Sequence, residues 1–99
     1  MTGSQRFLHK NGYEWRLEDG KLHREDGPAV EDDSGYTAWC LNGRLHKEDG
    51  PALRDAMGDF VFYIDGHRLD PKIEIYNSDL QAKYPKLIES MIIHLVHES

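Results

Sequence analysis

Two histidines, His23 and His46, stand twenty-three residues apart, and each is followed by a basic residue, a glutamate and an aspartate. An imidazole beside carboxylates can exchange protons or ligate a divalent metal. Recurrence at a fixed stride argues for a different use, because a feature copied along a stack serves the stack. The expectation is that each ring bonds the backbone or its own Glu-Asp turn and fixes the bend before Gly-Pro. Asp26 and Asp49 are expected to hold their loops as Asx-type turns. A metal-dependent enzyme built on His23 and His46 is the lesser alternative.

The remaining candidates for chemistry are weaker. His94 and His97 lie three apart on a helical stretch beside Glu98, within reach of one ion, but no further ligands stand in a defined pattern, and a solvated helix end is the expected setting. Glu31-Asp32-Asp33-Ser34-Gly35 misses the calcium-loop spacing. Cys40 sits in an apolar run and is expected to be a buried, inert thiol. No nucleophile elbow, phosphate-cradling glycine loop or Cys-x-x-Cys occurs. No catalytic residue, metal ligand or cofactor is therefore assigned, and the chain is expected not to be an enzyme.

The elements that carry these residues come from one repeated phrase. Residues 20–30 read GKLHREDGPAV and residues 43–53 read GRLHKEDGPAL, identical at eight of eleven positions. A period of this size means one small supersecondary unit stacked on copies of itself. Asp19-Gly20, Asn42-Gly43 and Asp65-Gly66 are two-residue hairpin signals, since such turns need positive φ at both central residues. Aromatic and branched runs precede them, from Tyr13 to Leu17, Tyr36 to Leu41 and Phe60 to Ile64. Pro28 and Pro51 cannot donate a ladder hydrogen bond and begin new segments.

One irregularity bears on which way a side chain faces. Trp39 and Phe62 precede their turn glycines by four residues, Trp15 by five. Either a bulge at Glu18 restores the register, the preferred reading, or Trp15 turns to the other side of the sheet.

From residue 70 the period changes. Asp70-Pro71 suits a helix start, although Ile73 to Tyr76 could equally be a strand; Ser78-Asp79-Leu80-Gln81 fits a capping box; and Pro85 opens a helix to about Glu98. Leu87, Ile88, Met91, Ile92, Leu95 and Val96 form one amphipathic stripe, expected to be buried on the sheet or on another subunit, with Ile93 outside it. The fold class expected is α+β: an antiparallel β-meander of tandem hairpins with a C-terminal helical segment packed on one face. Residues 1–99 form a single domain, with 1–12 a partial first strand, 13–69 the repeats and 70–99 the helical segment.

The chain carries a net charge of −6. Its acidity is concentrated in the repeats, while residues 1–12 hold Arg6 and Lys10 and no acidic residue. This balance argues against direct nucleic-acid binding and against an anionic membrane. One cysteine, no signal pattern and no long apolar run point to the cytoplasm.

Trp39 to Ala52, WCLNGRLHKEDGPA, and Trp15 to Ala29 with one extra residue resemble the degenerate MORN-like repeats of small proteins from tailed bacteriophages and some bacteria. The likeness spans residues 12–69. It implies a strand-turn-strand array serving as an interaction surface, with no shared activity, and a phage-encoded modulator or inhibitor of a host or defence complex.

The function expected is therefore protein binding through the sheet face opposite the helix, anchored by Tyr13, Trp15 and Tyr36 and steered by Glu31, Asp32 and Asp33. Replacing Tyr13 and Trp15 by alanine is expected to spare folding and weaken binding. An acidic nucleic-acid mimic seated in a basic enzyme groove is the alternative. A homodimer through the final helix is also left open.

Overall fold

The computed structural model describes residues 3–98; Met1, Thr2 and Ser99, which fall inside the expected single domain, lie outside the described residues. The chain is α+β. Nine strands run in order, β1 (Gln5–His9), β2 (Gly12–Arg16), β3 (Val30–Asp32), β4 (Thr37–Ala38), β5 (Cys40–Leu41), β6 (Arg44–Leu45), β7 (Leu53–Arg54), β8 (Phe60–Ile64) and β9 (His67–Leu69). Helices α1 (Pro71–Glu74), α2 (Ser78–Lys83) and α3 (Pro85–Glu98) follow. A seven-stranded antiparallel sheet has the order β1-β2-β3-β4-β7-β8-β9, and β5 pairs with β6 beside it.

The repeat explains this division. Each unit contributes one aromatic strand and one return strand that the Glu-Asp-Gly-Pro element breaks in the middle. The early part of the first return holds its neighbour through Arg24 N–H to Cys40 O at 3.0 Å, and the later part through Ala29 N–H to Ala38 O at 2.7 Å. Proline at 28 and 51 leaves no donor where the strand is broken, so the ladder resumes one residue later.

Two of the three expected hairpin turns have both central residues at positive φ: Asn42 and Gly43 at 51° and 81°, Asp65 and Gly66 at 50° and 81°. The first turn differs. Gly20 N–H bonds Leu17 O, Leu17 N–H bonds Lys21 O, and only Gly20, at φ 91°, is left-handed. Its loop is three residues long, Glu18 to Gly20, so the extra residue is absorbed inside the turn and Trp15 stays in register with Trp39. Both indole-bearing residues donate their backbone N–H to the alanine after proline, Trp15 to Ala29 and Trp39 to Ala52, each at 2.7 Å.

The N-terminal strand is fuller than the sequence suggests, pairing with β2 over five consecutive residues. In the C-terminal segment, Asp70 caps α1 by accepting from Lys72 N–H, which settles that stretch as helix. Asn77, one residue ahead of the expected box, caps α2 by accepting from the Asp79 and Leu80 amides.

Helix α3 lies over the last rung of the sheet. Phe62, Leu87, Ile88 and Met91 form its core cluster, with Ile64, Leu69, Ile75, Leu80 and Tyr84 packed around them. Only half of the expected stripe is buried: Ile92 is 45% and Val96 66% exposed. The face turned to the sheet is Leu87, Ile88, Met91, His94 and Leu95, with His94 still against Phe62 near the helix end, so Ile92 and Val96 fall beyond its edge. The molecule is a slab 39 × 29 × 17 Å, with the helices at one end of the sheet and β1 as the edge strand at the other.

Candidate interaction surface

Cross-strand partners share a face of an antiparallel sheet, so the register sorts the side chains. One row runs Leu8, Tyr13, Glu31, Thr37, Arg54, Phe60. The opposite row runs Phe7, Glu14, Val30, Ala38, Leu53, Val61. Alternation along β8 puts Phe62 with Phe60, on the face that α3 covers.

That helix-bearing face carries a ladder of repeat-equivalent aromatics. Arg24 lies over the Trp15 ring at 4.7 Å and Lys47 over the Trp39 ring at 4.2 Å. Cations over indole faces are attracted by the ring quadrupole, and here they also shield the ring from water. The third rung has Asp70 where a cation would fall, and Leu87 and Met91 of α3 pack on Phe62 instead. The helix thus ends the stack as a capping unit does.

The candidate residues Tyr13, Trp15, Glu31, Asp32, Asp33 and Tyr36 do not come together on one surface. Tyr13, Trp15 and Glu31 lie on the helix-bearing face and so cannot line the opposite one. The Tyr13 hydroxyl donates to Glu31, which raises the phenol above its usual range. Trp15 packs against the cluster of Ala29, Ala38 and Cys40, and its indole Nε1 is buried without an acceptor. Asp32 is spent on its turn: its Oδ1 accepts from the Ser34 hydroxyl at 2.5 Å and amide at 2.9 Å, and the hydroxyl chiefly holds the carboxyl below its usual range. Asp33 is exposed. Tyr36 packs from the helix-free side against the Ala38–Cys40 cluster, with its phenol raised mainly by burial.

The repeat histidines are structural in form. His23 Nδ1 accepts the Asn42 backbone N–H at 2.9 Å, and His46 Nδ1 accepts that of Asp65 at 3.0 Å. An amide N–H can only donate, so Nδ1 carries no proton and Nε2 is the N–H that faces Glu25 at 3.4 Å or Glu48 at 2.9 Å. Both rings are more than nine-tenths buried. The expected backbone contact is present, though it reaches forward to the next unit's turn. The two rings, Trp39, Tyr84, Lys47 and Lys86 border an open groove of about 820 Å³ between the sheet and the start of α3.

Elsewhere, Cys40 is buried and its thiol is pushed up to about 11 by that burial. His94 is not at a solvated end: its ring meets Phe62 edge-on at 5.6 Å and Phe60 at 6.4 Å. His97 is exposed, and the side chain of Glu98 lies outside the described residues. Among the described residues no group of three or more His, Cys, Asp or Glu side chains is arranged to hold a metal ion. No helix among them is long and apolar enough to cross a membrane.

Comparison with protein-family models, curated proteins and solved structures finds no match.

Sequence reasoning named the face opposite the helix and Tyr36 on it, but not the row Val30, Leu53 and Val61. Its signal is the alternation that places Val30, Leu53 and Val61 beside Tyr36 and Tyr63. This face carries apolar side chains that pack with the Ala38–Cys40 cluster, to which no helical residue belongs.

Proposed function

We propose that this chain is a non-catalytic protein-binding module whose contact surface is the helix-free face of the sheet. The observation that supports it is the row Val30, Ala38, Leu53 and Val61, half-buried or buried by one another and flanked by Tyr36 and Tyr63, on the side away from α3. An apolar strip edged by tyrosines suits a protein interface, where aromatic anchors carry much of the energy. The net charge of −6 steers the module toward a basic partner. The MORN-like resemblance adds a setting: the cytoplasm, with a host or defence component as the protein engaged.

The test is affinity capture from the source cells, followed by titration of the captured protein against purified variants. Leu53→Ser combined with Val61→Ser, which lie outside both core clusters, should keep the circular dichroism spectrum and weaken binding at least about tenfold, the loss of roughly 1.4 kcal/mol. Equal affinity of the folded double variant and the wild type would overturn the reading.

A second reading rests on its own observation. Ile92, Ile93 and Val96 are 45%, 58% and 66% exposed on one side of α3, an apolar patch that a second copy of the chain would cover. Sedimentation of wild type against Ile93→Glu decides it, a monomer in both excluding the dimer.

A further inference from the structure

Among the described residues the sheet ends at β1, and no strand pairs with its outer edge. Trp15 donates its N–H to Ala29 and accepts at its carbonyl from His23, so both of its polar backbone groups face away from β1. Arg6↔Trp15 is thereby a non-hydrogen-bonded pair, and so, two residues along, is Leu8↔Tyr13. The N–H and C=O groups of Arg6 and Leu8 therefore point outward, two donors and two acceptors at strand spacing. All five residues of β1 are exposed, Phe7 by 46% and Leu8 by 73%, on opposite faces. The other end of the sheet is built differently: β9 is three residues long and runs directly into Asp70-Pro71 and the helices.

Natural sheets guard such an edge by shortening, twisting or covering it. Here the guard is charge alone. Arg6 and Lys10 form no ion pair among the described residues, and no acidic side chain precedes them on β1. Arg6 and Lys10 thus make β1 and its turn a basic border on a chain of −6.

We propose that β1 receives an extended acidic–apolar segment of a partner protein as an added strand. Main-chain bonds to Arg6 and Leu8 hold the segment, its carboxylates answer Arg6 and Lys10 on one face, and its apolar residues extend the row that begins at Phe7 on the other. A second copy of this chain is a poorer occupant, because two-fold pairing of β1 with itself gathers two sets of Arg6 and Lys10 in one place. The inference goes beyond the face reading above and does not depend on it.

The probe is a short fluorescein-labelled peptide alternating Val with Glu, with a Val-Lys peptide as its counterpart. Anisotropy should show binding of the acidic peptide and not the basic one, and amide exchange at Arg6 and Leu8 should slow on saturation. Leu8→Pro removes one outward N–H and leaves the β1–β2 ladder untouched; affinity should fall about tenfold, the worth of one hydrogen bond. Arg6→Glu with Lys10→Glu, which spares the backbone altogether, should reverse the peptide preference. Unchanged exchange at Arg6 and Leu8, undiminished binding to a folded Leu8→Pro, or no binding of the acidic peptide at millimolar concentration would each overturn the proposal. So would a wild-type dimer that Leu8→Pro dissociates, which would assign the edge to self-pairing. The Leu53→Ser, Val61→Ser variant should bind the peptide as wild type does, which separates this result from failure of the face reading.

Discussion

His46 accepts the backbone N–H of Asp65 through Nδ1, nineteen residues down the chain, as His23 does for Asn42. Each bond crosses from one unit to the turn of the next. Beside it, the following glycine donates into the same earlier unit, Gly43 to Leu22 O and Gly66 to Leu45 O, both at 2.8 Å. His46→Ala leaves the Asp65 amide without its acceptor and should lower unfolding stability by roughly 1–3 kcal/mol. Urea titration measures this loss. Nitrogen-15 NMR of the wild type should show both rings as the Nε2–H tautomer, and the opposite tautomer at either ring would contradict the bond.

Trp15 gives a sharper contrast. Trp15→Ala removes a ring packed on the Ala29–Ala38–Cys40 cluster and should cost about 3–5 kcal/mol, so the pair change with Tyr13 is now expected to damage the fold. Trp15→Phe keeps an aromatic ring under Arg24 and removes a buried indole N–H that has no acceptor. Its stability should fall by far less than that of the alanine variant, because a lone buried donor costs about 1–3 kcal/mol and its removal offsets the lost volume. Thermal melts of the two variants suffice.

Cys40 predicts a pH effect with a definite sign. Burial raises the thiol from 9.0 to about 11, so folding favours the protonated form. Stability from this group is complete below pH 9, falls as pH rises between 9 and 11, and by then roughly 3 kcal/mol has gone. Tyr13 and Tyr36 are raised too and act in the same direction at higher pH. Cys40→Ala should therefore flatten part of the alkaline limb in urea unfolding measured across pH. In the native wild type the thiol should resist alkylation at neutral pH, because the thiolate is scarce.

Asn42 sits at φ 51°, where a side chain with a Cβ is strained unless it can bond locally. Asn42→Ala should cost about 1 kcal/mol, and Asn42→Gly much less. Equal melting temperatures for the two variants would show that the turn does not need its left-handed residue.

Much of the architecture was legible because turns are local. Asn42-Gly43 and Asp65-Gly66 declare their backbone through residue type alone, and Pro85 marks the start of the last helix. Asp19-Gly20 looks the same in sequence, yet Trp15 has to stay level with Trp39, and that tertiary demand lengthened the loop. The fate of Ile92 and Val96 was not legible. Hydrophobicity counted them into the stripe and left His94 out, but the side that meets the sheet runs through His94 and Leu95, and a polar ring packed on Phe62 carries no apolar signal. The split of the candidate site had a similar cause: Tyr13 and Tyr36 both look like interface anchors, but only the pairing register reveals that they lie on opposite sides.

The forward reach of the histidines also gives the array a polarity. Both repeat imidazoles accept from a backbone N–H nearer the carboxyl terminus, so a further twenty-three-residue segment copied from residues 28–50 and spliced in place would meet ready-made partners at both junctions. Growth by duplication is built into the bonding pattern, and length is a quantity that evolution or an engineer can change without redesigning either end.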